Sequence, residues 1–126
     1  MGPSLEIAMT TNRSLELIAA YRYPNSLANM QQLIMDAEQC AKKYGKTSIF
    51  GTDKFQPALR KFEGTLARCV VSLAADGVVK DPTDMPGAMS AVDEVMLHLQ
   101  DTYSSWPLAF QFWRVYCVRN SRVSWF

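Results

Sequence analysis

At 126 residues, 48% of them hydrophobic and 20% charged, the chain is sized for one domain with a real core, burying roughly two thirds of its unfolded surface. This composition excludes the charge-rich, apolar-poor regime of disorder and does not require disulfide or metal staples. A formal net charge of +1 excludes a strong overall preference for polyanions or polycations.

Met1 to Ser4 read as cloning residue as much as native sequence, and the start, MGPSLEIAMTTNR, lacks the basic and apolar regions of a secretory leader. No apolar run approaches the ~20 residues of a membrane span. A soluble, cytoplasmic protein is therefore expected, and the Asn12-Arg13-Ser14 sequon is void without secretion. Thr11 or Asn12 can cap a first short helix carrying Leu15, Ile18, Ala19 and Arg22, which Pro24 must stop. Asn25 or Ser26 then caps a second. In it Leu27, Met30, Leu33, Ile34, Ala37, Cys40, Ala41 and Tyr44 repeat at three and four residues, and Gly45 supplies the terminator.

Lys46 to Asp53 reads as a loop. A third helix is expected from about Phe55 to Ala75, with Phe55, Leu59, Phe62, Leu66, Cys69, Val70 and Leu73 in an arc of roughly 100° and Gly77 as its stop. Pro57 is tolerable there only in the first turn. VVKDPTDMP is an extended connector, after which Asp84 caps a fourth helix with Met89, Val92, Val95, Met96, Leu99 and Tyr103 inward. Trp106 to Val118 is apolar on every face, so periodicity cannot separate a buried helix from a buried strand. With four helices before it and no partner strand in view, a helix starting at Pro107 is expected. The predicted fold is all-α, one compact bundle of about five helices over residues 1–126, with 1–11 as an N-terminal arm.

Little in the chain serves catalysis. Tyr44-Gly45-Lys46-Thr47-Ser48 contains the end of a phosphate-binding loop, but Cys40 stands where its first glycine belongs and a helix precedes it instead of a strand. The three cysteines suit reduced thiols: Cys40 and Cys69 lie on apolar faces, and Cys117 has no base at useful spacing. His98, the only histidine, shares a helix face with Glu94 and Asp101, a set that could bind metal or move protons. That face points away from Met89, Val92, Met96 and Leu99, toward solvent. No enzymatic activity, cofactor or metal is expected.

The charges are unevenly distributed. From Lys42 to Arg68 there are seven basic residues against two acids; from Asp76 to Ser105 there are six acids against one lysine. Lys61, Gly64, Thr65 and Arg68 share what reads as the outward side of the third helix, with Lys42, Lys43 and Lys46 before it. The tail places Phe110, Phe112, Trp113, Tyr116, Trp125 and Phe126 among Arg114, Arg119 and Arg122, a pairing typical of interface anchors. Part of this set must be core, yet six large aromatics in seventeen residues exceed what one face of a terminal helix usually buries. Met35, Val71 and Leu97 each face outward on their own helices.

The expected function is a non-catalytic helical interaction or assembly module, homo-oligomeric or binding another protein. Phe112, Trp113, Arg114, Tyr116, Arg119, Arg122, Trp125 and Phe126 form its expected contact surface. The alternative is a nucleic-acid-binding or nucleic-acid-packaging protein of viral or phage type, using Lys42, Lys43, Lys46, Lys61 and Arg68.

Overall fold

A computed structural model describes residues 20–44 and 56–120. The predicted features at Thr11, Asn12, Leu15, Ile18, Ala19, Gly45, Lys46 to Asp53, Phe55, Arg122, Trp125 and Phe126, and the N-terminal arm, lie outside these residues. Among them the secondary structure is wholly helical. A helical turn at residues 20–22 precedes α1 (Leu27–Tyr44), α2 (Gln56–Ala75), α3 (Met85–Leu99) and α4 (Trp106–Asn120), with a 3₁₀ turn at Gln100–Thr102. The predicted all-α bundle is what is found, and no helix among the described residues is long and apolar enough to cross a membrane.

α1 occupies the middle of the bundle, packed chiefly between α2 and α4 and touching α3. Its apolar stripe (Met30, Leu33, Ile34, Ala37, Cys40, Ala41) is buried as its spacing requires. Phe62 of α2 reaches into the aromatic face of α4, edge-on to Phe112 and Tyr116 with both centroids at 4.9 Å, and 6.3 Å from Trp113. Such tilted ring pairs add to the burial of their area. The indole N–H of Trp113 donates to Asp93 Oδ1 at 3.1 Å, tying α4 to α3. Burial raises the Asp93 carboxyl, with Trp113 and Arg114 pulling the other way.

The helix ends are set by identifiable groups. α2 stops at Gly77, whose φ of 77° only glycine adopts freely. The Gly77 amide bonds the Ala74 carbonyl at 3.1 Å and that of Val78 the Leu73 carbonyl at 2.9 Å, the paired closure of a Schellman motif. Asp84 caps α3 as expected, accepting from the Gly87 amide at 3.3 Å. The connector before it is not simply extended: Asp81 accepts from the Thr83 amide and hydroxyl to form a turn, and Val79 joins the core.

At the start of α1 the cap differs from expectation. Ser26 stands in the cap position, but its hydroxyl donates to Asp76, at the end of α2. The Asp76 carboxylate also accepts from the Asn25 side chain at 2.7 Å and from the amides of Asn25 and Ser26 at 3.0 and 2.9 Å. The two amides that lead into α1 thus find their acceptor through space, on the residue that follows α2. Partial burial works to raise the Asp76 carboxyl, but these hydrogen bonds outweigh it and hold it below the usual range.

Candidate interaction surface

α4 owes its uniformly apolar sequence to two different faces. Trp106, Ala109, Phe112, Trp113, Tyr116 and Cys117 recur at three and four residues and are buried. Phe112, Trp113 and Tyr116, expected as contact residues, are therefore core, saturated by Phe62 and by one another. Their aromatic density comes from filling the middle of the bundle. The Tyr116 phenol is pushed well above its ordinary value, chiefly by burial and further by Glu63.

The opposite face of α4 is exposed: Leu108 at 36%, Val115 at 41% and Val118 at 59%, with Gln111, Arg114 and Arg119 among them. A shallow groove of ≈ 420 Å³ runs along it, bordered by Pro107, Phe110, Gln111, Arg114, Val115, Val118 and Arg119. Trp106 and Phe110 stack at 5.1 Å, and the Arg114 guanidinium lies 5.8 Å from the Phe110 centroid, within cation–π range. Of the predicted contact residues, Arg114 and Arg119 lie on this surface, while Leu108, Val115 and Val118 were not anticipated. Projecting the segment on a helix from Trp113 would have separated the two sets.

Lys42, Lys43, Lys61 and Arg68 are exposed, but nearby acids and a hydroxyl engage three of them. Lys42 pairs with Glu38 at 2.9 Å and Lys61 approaches Asp36 at 3.9 Å. Arg68 donates to the Thr65 hydroxyl at 3.0 Å. Thr65 does not face outward: it is fully buried and donates to Asp36 Oδ2 at 2.6 Å, while Gln32 donates to Asp36 Oδ1 at 2.9 Å. A carboxylate this deep is tolerated because its lone pairs are satisfied. Thr65, which read as outward-facing, is therefore part of a polar lock between α1 and α2.

Glu94, His98 and Asp101 are exposed on α3 and its following turn, as their spacing predicted. The Arg22 guanidinium donates to His98 Nε2 at 3.1 Å; having no lone pair of its own, it occupies that nitrogen's acceptor site. Among the described residues no cluster of three His, Cys, Asp or Glu could hold a metal ion. Met35, Val71 and Leu97 are exposed.

All three cysteines are free and buried. Burial pushes the Cys40 thiol up to about 11 and those of Cys69 and Cys117 up to about 12. Two pKa units correspond to about a hundredfold less thiolate. Iodoacetamide at mildly alkaline pH is expected to leave all three unmodified in the native protein and to label all three in denaturant, as read by mass spectrometry. Rapid labelling of any one in the native state would contradict its burial.

No family model matches the sequence, and neither the curated proteins nor the solved structures compared with it give a match.

Proposed function

We propose that this protein is a helical interaction and assembly module that associates with further copies of itself through the outward face of α4. The observation behind this reading is the row of Leu108, Val115 and Val118 exposed beside Arg114 and Arg119. The other side of the same helix already fills the core. Aliphatic residues aligned on one helix face and bordered by arginine suit a contact whose centre is apolar and whose rim is charged.

Sedimentation velocity over a concentration series into the high micromolar range tests it. The wild-type mass is expected to rise with concentration, and Val118→Glu to weaken association at least ~10-fold, about 1.4 kcal/mol, without changing the far-UV spectrum. A wild-type protein that stays monomeric throughout would overturn the reading. So would a low-salt shift of DNA or RNA abolished by reversing Lys61 and Arg68, which would move function to the basic residues.

A further inference from the structure

We infer that the surface receiving α4 on the second copy is the outward side of α3 and its 3₁₀ turn, where Glu94 and Asp101 flank Leu97. This inference rests on self-association through α4 and adds what that helix binds.

The charges of the two elements are complementary. α4 contains Arg114 and Arg119 and no acid. α3 contains Asp93 and Glu94 and neither lysine nor arginine, and Asp101 follows in the next turn. A symmetric α4-to-α4 contact would bring arginine toward arginine, and like charges across an interface are costly. Pairing α4 with α3 sets arginine against carboxylate instead.

The apolar pattern agrees. Leu97 is 42% exposed and lies three residues beyond Glu94 and four before Asp101, so all three share a helix face. Across from it, Val115 and Val118 lie between Arg114 and Arg119 along α4. Each face therefore offers an aliphatic centre with charges of one sign on its flanks, and the signs are opposite. Arg22, bonded to His98, places one cation beside the acidic face.

The test is an exchange of charge between two variants. One carries Glu94→Arg and Asp101→Arg, the other Arg114→Glu and Arg119→Glu. Alone, each sets like charges against like and is expected to associate at least ~30-fold more weakly than wild type; mixed at equal concentration they should return to within ~3-fold of it. Circular dichroism and thermal melting check that each is folded. If a double variant melts early, the single changes Glu94→Lys and Arg119→Glu make the same exchange. Wild-type association by the α3 variant alone would mean that α4 binds some other surface, overturning this inference while leaving the previous one standing. A mixture that stays dissociated would likewise refute the α3 pairing, whereas a monomeric wild type would refute both.

Discussion

Trp113→Ala is expected to lower the stability of the protein by about 3–5 kcal/mol, the range for truncating a fully enclosed large aromatic. Trp113 has no exposed surface and lies 6.3 Å from Phe62 and 6.2 Å from Tyr116, centroid to centroid. Its removal opens a cavity where three helices meet. It also takes from Asp93, already partly buried, the indole donor that offsets some of its desolvation. Since domains of this size are stable by only about 5–15 kcal/mol, the variant should be largely unfolded at modest urea. Val115→Ala, on the opposite face of the same helix, should change stability by no more than ~0.5 kcal/mol. Urea melts followed by circular dichroism compare the two, and similar midpoints would contradict the assignment of the two faces.

Asp76→Ala should cost about 2–3 kcal/mol, because one carboxylate serves the amides of Asn25 and Ser26 and two side chains together. Partial exposure keeps this below the cost of losing a fully buried ion. The effect carries a pH signature. The carboxyl is held below its usual range in the folded protein, so its contribution is fully present above the unfolded value of about 4. It is lost as pH falls through the depressed folded value. Wild type and Asp76→Ala should therefore differ in melting temperature at neutral pH and converge in acid. A difference independent of pH would show that lost packing, not the charged cap, sets the cost.

The positions of α1, α2 and α3 were legible in the sequence because each carries an apolar stripe at helical spacing, and because α2 stops and α3 starts at a residue with a definite backbone role. Gly77 and Asp84 acted as their residue types require, and α2 and α4 began within a residue or so of the expected start. What one-helix geometry could not supply was the width of the buried surface. α1 lies between two neighbours, so its buried arc extends past the apolar stripe to Asp36. The matching border position on α2 is Thr65, and the two polar residues meet on the seam. Either residue alone reads as solvent-facing; only their pairing explains their burial. Glu38 beside Lys42 on α1, and Asp36 across the seam from Lys61, also explain why a local excess of basic residues did not become a uniformly basic face. On α4 the difficulty was reversed. Composition marked every side as apolar, and the side serving the core became evident only once Phe62 and Asp93 were placed against it.

The through-space cap bears on how the bundle opens. Ser26 and Asp76 are fifty residues apart in the chain, yet the Asp76 carboxylate accepts from the Ser26 amide and hydroxyl, so their contact closes a long loop whose ordering entropy has been spent in folding. Unwinding of the first turn of α1 therefore releases the last turn of α2, and the converse holds. Ends of surface helices ordinarily open one residue at a time with little free energy. Here the two ends share one opening event, so amide hydrogens in both segments should exchange with solvent at a common, slow rate rather than as independent frayed tips.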